Sequence, residues 1–221
     1  GMDREQNIPI ALKTIRPEFL ASRSAHERFL KEGTTWVELG YHPHIVQCYK
    51  VGYSDPLGYL VLELVANRTD KPDASLRPWL VGGRSLTLEQ SLLFALQIVR
   101  GMHYATKKIP GFVHRDLKPE NILVGIDNLP GTEINRIRVT DFGLVKTISR
   151  NEQDFTKLEQ REMEPNNIQF TRGVGTPLYM APELWRGETV GEYTDIYALG
   201  CILYEMVSGR YFVNGHTLHE I

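Results

Sequence analysis

The stretch that most constrains this chain is TDIYALGCILYEMVSG, residues 194–209, which is apolar nearly all the way round a helix and ends in a glycine. A helix without a polar face has to be buried on all sides, so its neighbours must wrap it, and Gly209 closes it. Enough chain exists to do so: 221 residues, 42% hydrophobic and 24% charged, give an ordinary globular composition with room for one large domain or two lobes. A net charge of -2 and scattered basic residues argue against a nucleic-acid groove or a polybasic membrane surface. No apolar run approaches the roughly 20 residues that cross a bilayer, and the start lacks a signal-peptide pattern, so the segment reads as soluble. Cys48 and Cys201 lie in IVQCYKV and LGCILYE and read as reduced, buried thiols of a cytoplasmic protein, neither a disulfide nor a metal pair. A membrane anchor elsewhere in a longer parent protein is compatible with this reading.

Ile8 to Ile15 alternates loosely and predicts a strand, broken at Arg16-Pro17. From Ser22 to Leu39 the residues Phe29, Leu30, Trp36, Val37 and Leu39 recur at helical spacing, with Gly40 and Pro43 as the stop. IVQCYKVGY and GYLVLELV predict two strands joined by SDPL. Residues 66–85 are polar and rich in proline and glycine, a linker composition with a short helix around SLRPWL. The boundary between a first unit, 1–65, and a second, 66–221, is placed at its start. Thr87 and Gln90 form a capping-box pattern ahead of Leu88, Leu92, Leu96, Val99 and Met102, predicting an amphipathic helix over about 88–106. FVHRDLKPENILVG and RIRVTDFGLV predict short strands with ionisable groups at their edges and IDNLPGTEIN as the turn between them. Residues 147–175 are polar and aperiodic, as functional or disordered loops are.

HRDLKPEN, residues 114–121, puts an aspartate, a lysine two later and an asparagine five later in one loop, and VTDFG adds an aspartate at 141. Phosphoryl transfer needs those parts: a carboxylate to accept a hydroxyl proton, a cation to neutralise the moving phosphoryl group, and oxygen ligands for magnesium. Here the sequence resembles the eukaryotic-type (Hanks-type) serine/threonine protein kinase catalytic domain. Ala11-Leu12-Lys13, Glu32 in ERFLKEG, HRDLKPEN, DFG, GTPLYMAPE and Asp195 in YTDIYALG follow one another in the family order. Taken alone, Ala-x-Lys is more often a solvated lysine at a strand edge and DFG a common turn, but the ordered set has no structural reason to recur.

The resemblance implies an α+β, two-lobed kinase fold: a small, mainly antiparallel β lobe with one helix, and a larger, mainly α lobe. It implies ATP, with magnesium or manganese, as cofactors. Lys13 would hold the α and β phosphates with Glu32 orienting it, Asp116 would be the catalytic base, Lys118 would contact the γ-phosphate, and Asn121 and Asp141 would bind the metal ions. Ala11, Leu62 as gatekeeper, the Glu63 carbonyl, the Val65 amide and Leu123 would form the adenine pocket. Trp36, His114 and Phe142 resemble an apolar column assembled in the active state. Lys118 in LKPEN and Thr176 before Pro177, a substrate-docking position, resemble the serine/threonine branch, and Leu144 after DFG resembles kinases that favour serine. Arg115 resembles the arginine that pairs with an activation-loop phosphate, with Thr171 the preferred acceptor and Thr156 behind it. The partners implied are protein substrates with Ser/Thr acceptors and a second copy for autophosphorylation in trans. HERFLKEG, WVELGYHPHIV and SLRPWL resemble bacterial members.

Two family parts do not occur in these residues: the glycine-rich loop that precedes the lysine strand, and the last helices, one of which carries the arginine that pairs with Glu183. The expectation is a domain cut at both ends. Two rivals share some of the motifs, a pseudokinase scaffold and a small-molecule phosphotransferase of the aminoglycoside-kinase type. The first is disfavoured because Lys13, Glu32, Asp116, Asn121 and Asp141 are all present, the second by LKPEN, DFG and GTPLYMAPE. His42 and His44, and His216 and His219, lack the companions of a metal site. The 221 residues alone are expected to transfer phosphate slowly, and radiolabelled ATP turnover at an ordinary kinase rate would overturn that expectation.

Overall fold

The lysine strand is held along both edges. In the computed structural model, which describes residues 1–4, 7–15, 22–54, 57–66, 70–71, 73–129, 132–142 and 178–213, β1 (Met2–Asp3) pairs with β2 (Ile8–Thr14) on one side. On the other side β2 pairs with β4 (Leu57–Glu63), and β3 (Cys48–Ser54) closes an antiparallel sheet of order β1-β2-β4-β3. Asn7, between β1 and β2, has φ 54, a left-handed conformation that asparagine tolerates better than most residues. Helix α1 (Arg23–Leu39) lies on this sheet; Ser22 Oγ accepts from the Ala25 amide at 3.3 Å and Gly40, at φ 71, ends the helix. Phe29, Trp36 and Leu39 form its buried face.

Ile45 and Val46 do not extend β3, as the apolar run 45–53 predicts; they run beside Val139 at the end of β6 (Thr132–Val139). The Val46 amide donates to the Val139 carbonyl at 2.9 Å, the Val139 amide to His44 at 3.0 Å, and Trp36 Nε1 to the Val46 carbonyl at 2.8 Å. These bonds stitch the sheet and α1 to the helical part. There α3 (Leu88–Lys108) starts with the predicted capping box: Thr87 Oγ1 accepts from the Gln90 amide at 3.2 Å and Gln90 Oε1 from the Thr87 amide at 3.4 Å. A Cβ on Gly101 would stand 2.6 Å from the His44 carbonyl oxygen, so glycine is what lets α3 approach that turn. Helix α5 (Glu192–Ser208) packs Ala198, Cys201, Ile202 and Met206 inward and ends at Gly209 with φ 68.

Four expectations change. Of the stripe Leu88, Leu92, Leu96, Val99 and Met102, Met102 is buried as expected and the other four lie on the exposed face of α3; Phe94, Ile98 and Ala105 join Met102 in the core. α3 is apolar on two faces, and periodicity alone does not say which one the sheet hairpin and α5 will cover. Helix α5 is covered on one face only among the described residues, with Ile196, Tyr204 and Val207 exposed. The predicted turn 126–135 is mostly strand: β5 (Ile122–Leu129) pairs with β6 residue by residue, leaving 130–131 between them. Its polar residues mimic a turn composition, yet Asp127 forms ion pairs with Arg136 and Arg138 of the partner strand. Finally, the linker 66–85 contributes core: α2 (Arg77–Leu80) buries Leu80, and Leu76 before it is fully buried, its amide donating to the carbonyls of Pro119 and Ile122.

Arg77 is the polar centre of that packing. Its Nη1 donates to Glu205 Oε1 at 2.6 Å, its Nε to Glu120 Oε1 at 2.8 Å, and its Nη2 to the Tyr179 hydroxyl, which itself donates to Glu205 Oε2. The guanidinium lies 5.8 Å from the rings of both Tyr179 and Tyr211. One residue thus ties α2, the loop at Glu120, the chain at Tyr179 and α5 together. Because the Glu205 side chain is only 4% exposed, Arg77→Met leaves a buried carboxylate without its cation and is expected to cost about 3–5 kcal/mol. Arg77→Met/Glu205→Gln should recover most of that loss. Urea denaturation of the three proteins checks it, and a single-variant cost under about 1 kcal/mol would contradict this account of the cluster.

Candidate active site

The loop 114–121 hangs from a buried carboxylate. Asp195, in the first turn of α5, accepts the His114 amide at 2.8 Å on Oδ2 and the Arg115 amide at 2.9 Å on Oδ1. Those two bonds hold Arg115 at φ 68, a conformation that costs a non-glycine residue energy and persists only when surroundings impose it. His114, fully buried, contacts the Thr140 carbonyl through Nε2 at 3.0 Å, and its Nδ1 accepts the Asp116 amide at 3.3 Å. Pro119–Asn121 forms one 3-10 turn, after which the Thr140 amide donates to the Asn121 carbonyl at 3.0 Å.

Asp116 therefore projects from a rigid loop, and its carboxylate accepts three hydrogen bonds from two side chains. Lys118 Nζ reaches its two oxygens at 2.8 and 2.7 Å, and Asn121 Nδ2 donates to its Oδ2 at 2.9 Å and to its carbonyl at 2.8 Å. Asp141, two residues after the end of β6, sits at φ 63 and forms an ion pair with Lys13. Burial alone would raise its carboxyl, but the charge and hydrogen bond of Lys13, with further help from His114 and Lys118, bring it below the ordinary carboxylate range. Lys13 also lies 5.9 Å from the Trp36 ring. The next residue, Phe142, packs between Trp36 at 5.0 Å, His114 at 5.1 Å and Phe112 at 5.7 Å, so the expected column Trp36, Phe142, His114 is brought together.

Glu32 and Lys13 are not joined: among the described residues the ion pair of Lys13 is with Asp141. The strand register sets Ala11 opposite Leu62, and Leu62 is buried while Ala11, Val65 and Leu123 pack on the core's edge. The Glu63 amide is bonded to the Gln47 carbonyl at 2.8 Å, and Leu123 bridges to Ser75. Glu183 accepts from Thr194 Oγ1 at 2.6 Å, joining α4 (Pro182–Trp185) to α5. Gly143, Leu144, Thr156, Thr171, Thr176, His216 and His219 lie outside the described residues. His42 stacks on Tyr104 at 4.6 Å and His44 Nδ1 contacts the Ile137 carbonyl at 3.1 Å, which are packing roles. Burial pushes the Cys48 thiol up to about 11 and raises Cys201 as well, so neither is a nucleophile at neutral pH.

Sequence reasoning missed Arg77, Glu120, Tyr179 and Glu205, and also Arg138, whose Nε lies 2.9 Å from Glu63 Oε1. The available signal was charge inside apolar context, as in EMVSG and RIRV, which marks a partner without saying where it is.

The sequence matches the protein kinase domain over residues 1–221. A probable serine/threonine-protein kinase of Clostridium perfringens is 32% identical over 215 residues, which span 97% of this chain and 27% of that protein. Serine/threonine-protein kinase PrkC of Bacillus subtilis is 30% identical over 221 residues, 100% of this chain and 29% of its own length. Serine/threonine-protein kinase PknB of Mycobacterium tuberculosis is 28% identical over 205 residues, 91% and 28% respectively. The chain spans less than a third of the length of these curated relatives.

With Lys13 engaged by Asp141, Glu32 is the carboxylate left to pay for burial. Burial raises it from 4.5 to about 7; the charges of Lys13 and Arg28 oppose the rise and that of Asp141 adds to it. Because the folded pKa lies above the unfolded one, the folded state holds the extra proton between these two values. The cost of burying the charge is therefore absent below pH 4.5, grows toward pH 7 and is constant above it. Glu32→Gln should match wild type in stability near pH 4.5 and exceed it at pH 8 by on the order of 2 kcal/mol after allowing for partial exposure. Urea melts at both pH values check this, and a stability difference that does not change with pH would contradict it.

Proposed function

This chain belongs to the protein kinase domain family, and from that premise we propose that it transfers the γ-phosphoryl group of ATP to serine and threonine hydroxyls of proteins, with Asp116 as the catalytic base. The observation that carries the reading is the Asp116 carboxylate, fixed between Lys118 and Asn121 on a loop tied to α5, with Lys118 near enough to Asp141, the partner of Lys13, for its charge to act there.

The residues fit the groups this reaction needs. Asn121 uses Nδ2 toward Asp116, which leaves its amide oxygen for a cation, and Lys13 keeps Asp141 ionised, so the pair offers the hard oxygen donors that magnesium or manganese takes. Lys13 on β2 is the cation for the nucleotide phosphates, and Ala11, Leu62, the Glu63 carbonyl, the Val65 amide and Leu123 are assigned to the adenine end. Bound metal and nucleotide supply the electrophilic phosphoryl group and neutralise its charge. Asp116 accepts the proton of the attacking hydroxyl as that oxygen bonds to the γ-phosphorus and the bond from that phosphorus to the β,γ-bridging oxygen breaks, releasing ADP. Lys118, already 2.7 Å from the Asp116 carboxylate, places a positive charge where the transferred group passes.

Arg115, fixed on the same loop, is assigned to pair with a phosphate on Thr171, and Thr176 to dock the acceptor segment; these two rest on sequence pattern. A second copy of the protein would deliver the Thr171 phosphate in trans. The buried thiols of Cys48 and Cys201 and the requirement for ATP favour a cytoplasmic location for this domain. No helix among the described residues is long and apolar enough to cross a membrane.

In the full-length parent protein, Asp116→Asn is expected to lower phosphate transfer to a peptide library by roughly 10²–10⁴-fold while binding of an ATP analogue is retained. Transfer surviving at the wild-type rate would refute the base assignment. Transfer to a panel of small alcohols in preference to peptides would refute the protein acceptor.

A further inference from the structure

The Glu63–Val65 segment of the proposed adenine end and the metal end of the proposed site are built on different elements, and the side chain of Arg138 joins them. β5 begins directly after Asn121 and β6 ends two residues before Asp141, so the β5–β6 hairpin carries both metal-end residues. Arg138 leaves this hairpin, crosses its neighbouring strand and forms an ion pair with Glu63 at the end of β4, its Nε 2.9 Å from Oε1. Its Nη2 lies 3.6 Å from Asp127 Oδ1 on β5, and Asp127 is held from its other oxygen by Arg136. Glu63 is fixed in turn: its Oε2 accepts the Gln47 amide at 3.3 Å and its own amide donates to the Gln47 carbonyl.

The path of Arg138 depends on a missing side chain. A Cβ at Gly125 would stand 2.8 Å from Arg138 Nη1 and 2.9 Å from Val65 Cγ1. Glycine at that position is therefore what lets the guanidinium pass over β5 and lets Val65 close down on the hairpin beside it. The side chains of Arg138, Glu63 and Asp127 are 13%, 23% and 20% exposed, so these charges give up much of their hydration for the contact. Buried ion pairs of this kind return little net stability and are better at selecting one geometry.

We infer that Arg138 is a positioning residue that sets the Glu63–Val65 segment at a fixed offset from Asn121 and Asp141, and so determines how tightly the nucleotide is held. Arg138 touches no reacting atom; it acts through Glu63 and the hairpin. The inference rests on the reading above, in which the Glu63 carbonyl and the Val65 amide meet the adenine.

The test uses the full-length protein and measures both the KM for ATP and the Kd of a fluorescent ATP analogue. Arg138→Met should raise both by about tenfold, the scale of losing a supporting group and not a contact, with kcat at saturating ATP changed by less than about threefold. Arg138→Lys should fall between, since an ammonium reaches one carboxylate and not two. Arg138→Met/Glu63→Gln removes both charges of the pair and leaves Asp127 with Arg136; thermal stability should return toward wild type while nucleotide affinity stays low. Gly125→Ala keeps every charge and should also weaken the nucleotide. If affinity recovers together with stability in the double variant, or if Gly125→Ala binds nucleotide as wild type does, Arg138 is a stabilising residue only and the inference fails. Lys13→Met is the control: if it leaves nucleotide binding intact, the reading of the site is what fails, whatever the Arg138 variants do.

Discussion

A single buried carboxylate holds the site in place. Asp195 costs the helix it belongs to a desolvated charge, and it recovers that cost by accepting two backbone amides from the loop that carries Asp116. Without those bonds the loop would have no reason to keep Arg115 in a left-handed conformation or to fold back over α5. With them, His114 is driven into the core, and its ring becomes a wall for Phe142. The helix at 192–208 is thus more than packing: it is the base plate to which the reactive loop is bolted, and its apolar character makes the bolt rigid.

From that plate the order spreads to α1. Phe142 fills the space between His114 and Trp36, and Trp36 is pinned by its bond to Val46, whose amide is bonded to Val139. Position of the helix and position of Asp141 are therefore coupled through aromatic contact. The coupling does not extend to charge. Lys13 has two carboxylates near it, Asp141 and Glu32, and its ammonium is drawn to the first. It pairs with Asp141, which stays ionised, and Glu32 takes on a proton at a pH well above its ordinary value. Each carboxylate's state follows from which one the lysine holds.

Much of this was legible in the sequence where a feature is local. The capping box at Thr87 and Gln90, the glycine stops at Gly40 and Gly209, and the strand carrying Lys13 are written within a few residues of where they act. What failed was any question about which of two surfaces a neighbour would cover. α3 is apolar on the Leu92, Leu96 side and on the Phe94, Ile98 side, and a period of 3.6 is equally satisfied by both. The composition of Asp127, Asn128 and Glu133 predicts a turn within 122–139; pairing across the strands, with Asp127 against two arginines, makes them strand. The residues proposed for the site in HRDLKPEN were legible because the proposed chemistry needs those groups at that spacing. Glu63 and Arg138, 75 positions apart by their numbering, were not, because nothing in either segment names the other.

The two arginines that sequence reasoning missed have the same job in different places. Arg77 joins α2 to α5 and the loop at Glu120, and Arg138 joins the hairpin to β4; each meets carboxylates from two separate segments. A planar guanidinium with five donors can satisfy two such groups at once with fixed angles, which a lysine ammonium on a flexible stem does not do. Lysines are found instead at the proposed site: Lys13 and Lys118 each contact one carboxylate, and each has about a third of its side chain exposed. That division is physical. A tie between elements has to be dry and directional to transmit position, whereas a charge that must meet an incoming anion has to stay partly hydrated and free to move from its carboxylate toward the ligand.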